Sequence, residues 1–292
     1  MISRRDLLPL ALSPLLAVSL TPRARARDLA GVDAALTKLE ADSGGRLGVA
    51  LLDTASGELA GHRLDERFPM CSTFKVLAAA AILARVDAGA EQLARRIRFA
   101  QADILSYAPV TKTHLDSGMT VAELCEAAVT LSDNTAANLL LASFGGPPAL
   151  THHAQSLSDS LTRLDRIEPD LNEATPGDVR DTTTPAAMAR TLAKLTTGEA
   201  LSPASRELLI GWMVGCKTGA SRLRAGLPSN WRIGDKTGSG GHGSSNDIAV
   251  IWPPGRAPLI LTSYLTETDN ASDDKRNAVH AEVGRIVARQ FG

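Results

Sequence analysis

Hydrophobic positions recur at helical spacing near both ends of the chain, over residues 28–43 and 275–290. The apolar positions are Leu29, Val32, Leu36 and Leu39 in the first segment, and Val279, Val283, Ile286 and Val287 in the second. From Ser72 to about Gly211 the pattern is again mostly helical. There, Thr120-Val-Ala-Glu123 has the form of a capping box that begins one helix, and Gly145-Gly146 ends the next.

Strand-like patterns lie on both sides of this helical region. They cover residues 46–53 and 58–62 before it, and residues 231–237, 246–252 and 258–265 after it. The simplest arrangement is one five-stranded antiparallel sheet flanked by the N- and C-terminal helices, an α/β fold of the α+β kind. The predicted domains are a sheet domain, residues 27–65 plus 212–292, and an inserted all-helical domain, residues 66–211, whose residues 163–181 form a loop around Glu168 (the glutamate loop).

The first 26 residues have the pattern of a signal peptide. Arg4 and Arg5 precede an apolar run, residues 7–20, that is too short to span a bilayer, and residues 24–26 supply the small side chains read by a signal peptidase. The run SRRDLL, residues 3–8, predicts the twin-arginine route, and an ordinary secretory signal is the alternative. The mature chain is then expected in the periplasm, without a membrane anchor because no second apolar span follows.

Composition narrows the function classes further. The 292 residues carry 31 Lys and Arg against 32 Asp and Glu, and 44% of them are hydrophobic. The balanced charge is unlike that of a nucleic-acid-binding protein, and the apolar fraction is too high for a disordered chain. The cysteines form no Cys-x-x-Cys pair, and the histidines lack the His-Glu-x-x-His spacing of a metalloprotease. No nucleic-acid partner, metal or other cofactor is therefore expected.

A first candidate for chemistry is Ser72-Thr-Phe-Lys75, which begins a predicted helix. Ser72 and Lys75 would lie one turn apart on the same face, close to the positive end of the helix dipole. Burial lowers the pKa of a lysine, so the amine could accept the serine proton. The alternative is a capping serine followed by a surface lysine, since Ser272-Asp-Asp-Lys275 has the same spacing.

The tripeptide Lys-Thr-Gly occurs twice. Lys236-Thr-Gly238 ends a strand-like segment, where it can line a cleft at a sheet edge, whereas Lys217-Thr-Gly219 follows a helix end and is predicted to be a solvated loop. Residues 238–243 also fit Gly-x-Gly-x-x-Gly. They lead into a strand and not into a helix, so we interpret them as a flexible hairpin turn and not as a dinucleotide site.

Two further polar motifs are ambiguous when taken singly. Ser132-Asp-Asn134 separates two predicted helices, and a helix-capping cluster would explain it. Glu168-Pro-Asp-Leu-Asn172 lies in a polar stretch without helical period, and a surface loop acid would explain it. Pro169 favours an extended backbone at Glu168, which gives the carboxylate a defined direction.

Taken together and in this order, the motifs are those of class A β-lactamases and penicillin-binding proteins. The chain resembles class A β-lactamases over essentially all of residues 30–290, and looks closest to periplasmic cephalosporin-hydrolysing enzymes of Gram-negative bacteria. The segments that carry the resemblance are FPMCSTFK (68–75), LSDNTAAN (131–138), RIEPDLN (166–172), DTTTP (181–185), RAGLP (224–228) and GDKTGS (234–239). It implies the serine β-lactamase/D,D-peptidase-like fold, hydrolysis of penicillins and cephalosporins, and β-lactam resistance. A monomer is expected.

The resemblance also implies residue roles. Ser72 forms the acyl-enzyme, and Lys75 and Glu168 share its activation. Ser132 relays a proton to the β-lactam nitrogen with support from Lys236, while Glu168 and Asn172 hold the deacylating water. The implied substrate-binding residues are Tyr107, Asn134, Asn172, Arg222, Thr237, Gly238 and Ser239, with the backbone N–H groups of Ser72 and Ser239 as the oxyanion hole. Arg166 and Asp181 would clamp the neck of the glutamate loop.

The sequence departs from the family pattern in its arginines and cysteines. The arginine that many members carry after Lys-Thr-Gly is missing near Ser245, and Arg222 is the implied substitute. Carbapenem-hydrolysing relatives pair the cysteine before the nucleophile with one at the position of Gly240, so Cys71 lacks that partner and broad carbapenem hydrolysis is disfavoured. The family partner of Cys125 is likewise absent, because Ala79 stands in its place.

Two other members of the wider group are alternatives. A penicillin-binding D,D-peptidase shares the serine and lysines but lacks the glutamate loop, and usually has a membrane anchor. A β-lactam sensor is acylated without turnover and needs transmembrane segments to signal. Glu168 and the predicted cleavable signal favour the β-lactamase.

Overall fold

The computed structural model describes residues 30–291, so the predicted signal peptide lies outside the described residues. Within this range the chain forms nine α-helices and nine β-strands. The helices are α1 (Ala30–Ser43), α2 (Phe74–Asp87), α3 (Val121–Thr130), α4 (Asn134–Phe144), α5 (Gly146–Ser156), α6 (Pro185–Thr196), α7 (Pro203–Val214), α8 (Leu223–Gly226) and α9 (Asp273–Phe291). The strands are β1 (Arg46–Asp53), β2 (Leu59–His62), β3 (Phe68–Pro69), β4 (Arg96–Ile97), β5 (Met119–Thr120), β6 (Thr182–Thr183), β7 (Arg232–Ser239), β8 (Ser245–Trp252) and β9 (Leu259–Thr266).

The predicted sheet is confirmed. Its strands lie in the order β2-β1-β9-β8-β7, and every neighbouring pair is antiparallel. Successive residues of a strand point to opposite faces, and both faces are buried. On β8, Ala249 and Ile251 pack in one hydrophobic cluster with Val32 of α1 and Val283 of α9, whereas Ile248 belongs to the cluster on the other face. The terminal helices therefore cover one face of the sheet, as the sequence pattern predicts.

Helix α2 is buried along most of its length. Its first ten residues, from Phe74 to Leu83, are all buried, and α3, α4, α5 and α7 contact it. A helix that is apolar on every side belongs in a protein core. Lys75 is the charged residue among these apolar ones. It lies in the first turn of α2 with 0% of its surface exposed. The alternative of a surface lysine is therefore wrong.

The helical region follows the sequence prediction with two differences. The capping box is confirmed, since the Glu123 backbone N–H donates to Thr120 Oγ1 and the Thr120 N–H donates to the Glu123 carboxylate. Gly145 ends α4 at a φ of 109°, but Gly146 already belongs to α5. The region also contains two pairs of two-residue strands, β3–β6 and β4–β5. Two residues are too few to show a period.

One hydrophobic cluster joins the helical region to the sheet. It contains Phe74 and Leu77 of α2 together with Val250 and Ile260 of the sheet. The division into a sheet domain (27–65 plus 212–292) and a helical domain (66–211) stays a proposal; the candidate site described below lies where these two parts meet. Within residues 30–291, no helix has the length and apolar character that crossing a membrane requires.

Candidate active site

Ser72 lies in a single 3₁₀ turn, Cys71–Thr73, directly before α2. Cys71 has a φ of 45°, a backbone conformation that residues other than glycine rarely adopt. Gly238 on β7 lies so close that a Cβ there would be 2.9 Å from the Met70 carbonyl oxygen and 3.2 Å from the Ser72 nitrogen. A larger residue than Gly238 would thus keep β7 away from the backbone of Ser72.

A lysine and a carboxylate lie beside the Ser72 hydroxyl. Lys75 Nζ is 2.9 Å from Glu168 Oε1, and Ser72 Oγ donates to the same oxygen over 3.3 Å. Glu168 is 1% exposed, so the alternative of a surface loop acid is wrong. Burial lowers the pKa of Lys75, and the nearby Glu168 carboxylate opposes that shift. Glu168 is therefore within reach of the serine proton, and Lys75 contacts the same carboxylate oxygen.

Ser132 joins the two buried lysines. Its Oγ accepts from Lys236 Nζ over 2.9 Å and from Lys75 Nζ over 3.3 Å. Burial is the main cause that lowers the pKa of Lys236 to about 7, and repulsion from the neighbouring Lys75 is the second cause. Because both lysine amines donate to one hydroxyl oxygen, the proton of Ser132 is free for a group in the cavity.

The turn that carries Ser132 is held by Asp133. The Asp133 carboxylate accepts from the Ala136 N–H at the start of α4 and from the N–H groups of Val110 and Thr111. Asn134 continues the arrangement: its N–H donates to the Tyr107 carbonyl, and its Oδ1 accepts from Lys75 Nζ over 2.6 Å. The helix-capping explanation is thus correct for Asp133, while its neighbours Ser132 and Asn134 face the lysines.

The neck of the glutamate loop is closed as predicted. Arg166 Nε donates to Asp181 Oδ2 over 2.6 Å, and Asp181 is 1% exposed. The Asp181 carbonyl in turn accepts from the Met70 N–H, which ties the loop to the serine turn.

Asn138 holds Glu168 from the opposite side, a role that sequence reasoning missed. The Asn138 side chain accepts from the Glu168 N–H and donates to the Glu168 carbonyl, both over 2.9 Å. The bond between Glu168 and Pro169 is cis. Asn138 lies one helical turn after Asn134 on α4, so both side chains share one face of the helix. This shared face was the only feature of the sequence that could have placed Asn138 at the site.

Asn172 lies beside Glu168. Its Nδ2 donates to Glu168 Oε2, and its buried Oδ1 has no hydrogen-bond partner. An unpaired buried carbonyl oxygen next to a carboxylate is a place where a water molecule gains two acceptors. The Asn172 backbone carbonyl accepts from the Gly241 N–H over 2.8 Å, so the hairpin turn after β7 is fastened to the glutamate loop.

A cavity of about 340 Å³ opens above these groups. The predicted site residues that line it are Ser72, Tyr107, Ser132, Asn134, Asn172, Arg222, Thr237, Gly238 and Ser239. The remaining three, Lys75, Glu168 and Lys236, lie buried beneath it in contact with Ser72 or Ser132. All twelve predicted residues are therefore brought together. Tyr107, 49% exposed, stands at the rim.

Arg222 extends its guanidinium into this cavity. It donates to the Gly238 and Asn246 carbonyls, to Asn277 Oδ1, and over 2.8 Å to Ser239 Oγ. Ser245, where the family arginine is missing, is 2% exposed and contacts His280 instead. Arg222 therefore lies at the cavity, while Ser245 is turned to His280; that Arg222 replaces the missing arginine stays a prediction.

Thr218 corrects the interpretation of the first Lys-Thr-Gly motif. Lys217 is exposed, as expected of a solvated loop, but Thr218 lines the cavity with its Oγ1 2.5 Å from Thr237 Oγ1. The prediction was wrong because local sequence describes only the end of α7, whereas the partner of Thr218 is on β7.

The cysteines are free and buried: Cys71, Cys125 and Cys216. A Cβ on Gly240 would lie 2.7 Å from Cys71 Sγ, which locates the family partner position that this chain leaves without a thiol. Burial raises the pKa of Cys71 to about 12, so this neighbour of Ser72 stays a protonated thiol and is no rival nucleophile. Among residues 30–291, no cluster of three or more metal-ligating side chains is placed to hold a metal ion.

Comparison with known proteins agrees with this geometry. The beta-lactamase enzyme family matches residues 31–291. Beta-lactamase Toho-1 of Escherichia coli is 48% identical over 290 residues, which cover 99% of this chain and 98% of the relative. Beta-lactamase L2 of Stenotrophomonas maltophilia is 49% identical over 304 positions, which cover 100% of both chains.

Solved structures give the same assignment. An ancestral class A β-lactamase is 65% identical, with a TM-score of 0.88, and the match covers 89% of this chain and 100% of that chain. The putative class A β-lactamase PenP from Rhodopseudomonas palustris is 61% identical with the same TM-score, and the match covers 89% of this chain and 99% of that one. The chain therefore belongs to the class A serine β-lactamases and is a hydrolase that acts on β-lactams.

Proposed function

We propose that the protein hydrolyses the amide bond of penicillins and cephalosporins through an acyl-enzyme on Ser72, and that it thereby confers β-lactam resistance. The observation that carries the proposal is the contact of Ser72 Oγ with Glu168 Oε1, which Lys75 Nζ also touches, beneath one cavity. A weakly acidic hydroxyl becomes a nucleophile when a positioned base takes its proton during attack.

In the first half of the reaction, Ser72 Oγ attacks the β-lactam carbonyl carbon and its proton passes to the pair formed by Lys75 and Glu168. The negative charge that develops on the carbonyl oxygen is stabilised by the backbone N–H groups of Ser72 and Ser239. The close approach of Gly238 to the Ser72 nitrogen supports this placement, because it brings the end of β7 beside the serine turn. One such donor is typically worth about 3–4 kcal/mol in the transition state.

The ring nitrogen leaves as the amide bond breaks, and it needs a proton. Ser132 has its hydroxyl proton free because Lys75 and Lys236 both donate to its oxygen. Ser132 can therefore give its proton to the nitrogen and recover one from a lysine. This relay accounts for the buried position of both amines.

In the second half, a water molecule attacks the ester on Ser72. Glu168 Oε2 accepts from Asn172, and the free Asn172 Oδ1 offers the water a second contact. Glu168 takes a proton from the water as the water oxygen bonds to the ester carbon. The bond from that carbon to Ser72 Oγ then breaks, the proton returns to Oγ, and the ring-opened acid leaves. The two bonds from Asn138 fix the backbone of Glu168, from which its carboxylate extends, for this step.

Steady-state hydrolysis of a penicillin, a cephalosporin, a monobactam and a carbapenem by the purified mature protein tests the proposal. Penicillin and cephalosporin are expected to be hydrolysed with turnover, and the carbapenem only slowly, because Cys71 has no disulfide partner. Expression in a susceptible Gram-negative host should raise the inhibitory concentrations of the first two. Absence of turnover with both would contradict the proposal.

Arg222→Ala is expected to lower kcat/KM for cephalosporins about 10- to 100-fold, because loss of one charge-assisted contact to the substrate carboxylate costs about 1.5–3 kcal/mol. Sensitivity to clavulanate-type inhibitors should fall with it. Arg289→Ala, which removes an exposed arginine of α9, is the matched control. Parental kinetics in the Arg222 variant would show that another residue binds the carboxylate.

At high pH, the fall of kcat/KM with rising pH should reflect the loss of the proton from Lys236. Its pKa is lowered to about 7 by burial, so the free enzyme loses this positive charge as the pH rises through that value. We expect kcat/KM for carboxylate-bearing substrates to fall over the same range, since kcat/KM reports the groups of the free enzyme. Lys236→Arg keeps the charge at every pH and should move the decline upward. An unchanged profile would assign this fall to another group.

We also propose export to the periplasm by the twin-arginine route and action as a monomer. The export proposal rests on the sequence of residues 1–26, which precede the first described helix. Changing Arg4 and Arg5 together to lysine should abolish periplasmic β-lactamase activity while leaving cytoplasmic enzyme active. Undiminished export would favour an ordinary secretory signal.

A further inference from the structure

Two hydroxyl groups of β7 face the candidate cavity, those of Thr237 and Ser239. The connection between α7 and α8 brings a polar group to each of them. Arg222 Nη2 donates to Ser239 Oγ over 2.8 Å. A guanidinium has donors and no acceptor, so Ser239 must accept this bond, and its own proton stays available to a ligand.

Thr218 stands in the corresponding position beside Thr237. Their Oγ1 atoms are 2.5 Å apart, and geometry alone lets either one donate. A ligand decides between the two directions. A carboxylate has only acceptor oxygens, so Thr237 can bind it only by donating its single proton to it. Thr218 must then donate to Thr237.

When Thr218 donates its proton to Thr237, its oxygen can still accept a hydrogen bond. Cys216 Sγ is 3.4 Å from Thr218 Oγ1, and a thiol can donate weakly to a hydroxyl. The chain of donors then runs from Cys216 to Thr218 to Thr237 and ends on the ligand. Hydrogen bonds arranged in one direction polarise one another, which strengthens the last donor in the series.

We propose that Thr218 is a positioning residue for the binding of β-lactams that carry a free carboxylate: it fixes the Thr237 hydroxyl as a donor, as Arg222 does for Ser239. The proposal rests on the proposed function, since it concerns the binding of that substrate in the same cavity. Thr218 is half-buried and lines the cavity itself, so its position does not depend on a rearrangement.

The alternative is that Thr218 merely fastens the connection between α7 and α8 to the sheet. Such a role would affect all substrates equally and would show mainly in thermal stability. A role in carboxylate recognition acts on one part of the substrate. The two roles separate when a carboxylate and its neutral ester are compared in the same variants.

The test uses a chromogenic cephalosporin with a free carboxylate and its methyl ester as substrates. Thr218→Val keeps the shape but removes the hydroxyl, and Thr218→Ser restores it. With Thr218→Val we expect kcat/KM for the free acid to fall about 3- to 10-fold, mostly through KM, because the contact is already made in the bound substrate. The ester should change less than twofold, and Thr218→Ser should recover most of the loss.

Lys217→Ala is the control, since Lys217 is the exposed neighbour in the same connection. Equal losses on acid and ester, or no loss on either, would overturn the proposal even if the parental enzyme hydrolyses the antibiotic well. If the parental enzyme neither hydrolyses the acid nor becomes acylated by it, the proposed function itself has failed. Melting temperatures of the variants show whether any loss arises from unfolding.

Discussion

Glu168→Ala should convert the enzyme into one that is acylated by a β-lactam and then stops. The ester on Ser72 is stable unless a base activates a water beside it, and Glu168 is the carboxylate in contact with both Ser72 and Asn172. General-base assistance typically contributes a factor of about 10²–10⁴. We expect turnover to fall by this amount, while acylation continues more slowly with Lys75 as the remaining base.

Intact-protein mass spectrometry after mixing with excess penicillin measures the outcome. The variant should accumulate an adduct of one antibiotic mass, whereas the parental enzyme should show little adduct once the substrate is consumed. Glu173→Ala is a matched control, because Glu173 is an exposed acid of the same loop that binds Arg166. Parental turnover in Glu168→Ala would mean that another group activates the water.

The same experiment separates the hydrolase from its relatives of similar architecture. A D,D-peptidase or a β-lactam sensor is also acylated by the antibiotic at a serine next to a lysine. Its acyl-enzyme, however, is hydrolysed only slowly even without any substitution. Only an enzyme with a dedicated deacylating base changes from turnover to a trapped adduct when one carboxylate is removed. The unpaired Asn172 Oδ1 beside Glu168 is the observation that supports the proposed second step.

The fold was largely predictable because its signals are local. The apolar runs of β8 and β9 and the helical period of α9 each arise within one segment, and an antiparallel sheet is the simplest way to bury such strands. Strands β3 and β6 were missed because their partners are distant in sequence and two residues carry no period.

The site was predictable through resemblance more than through residue chemistry. Singly, Ser72 and Ser272 satisfy the same spacing, yet Ser72 begins a buried helix while Ser272 is an exposed residue before α9. What decides between them is the burial of the following lysine, which depends on the packing of α2. Asn138 and Thr218 were missed for the same reason, since each acts through a contact with a distant segment.

Ser72→Ala should reduce turnover more than any other single change. Loss of the nucleophile has cost about 10⁶-fold in kcat in a serine protease, where the rest of the site supplied only residual catalysis. In the Ser72→Ala variant, both candidate general bases, Lys75 and Glu168, would remain, with Asn172 beside Glu168. The prediction therefore distinguishes a covalent route from direct attack by a water that Glu168 activates.

A direct route would keep a substantial fraction of the activity in Ser72→Ala, because the water, its base and the oxyanion donors do not include the serine hydroxyl. A covalent route leaves binding intact and removes both the adduct and the turnover. We expect no adduct by mass spectrometry, a loss approaching about 10⁶-fold in kcat, and continued binding of penicillin as a competitive ligand. Ser272→Ala is the control, since it removes a serine from the same Ser-x-x-Lys spacing at an exposed position and should retain parental kinetics. Residual turnover within tenfold of the parent in Ser72→Ala would favour direct hydrolysis, because Glu168 and its water would then account for nearly all of the catalysis.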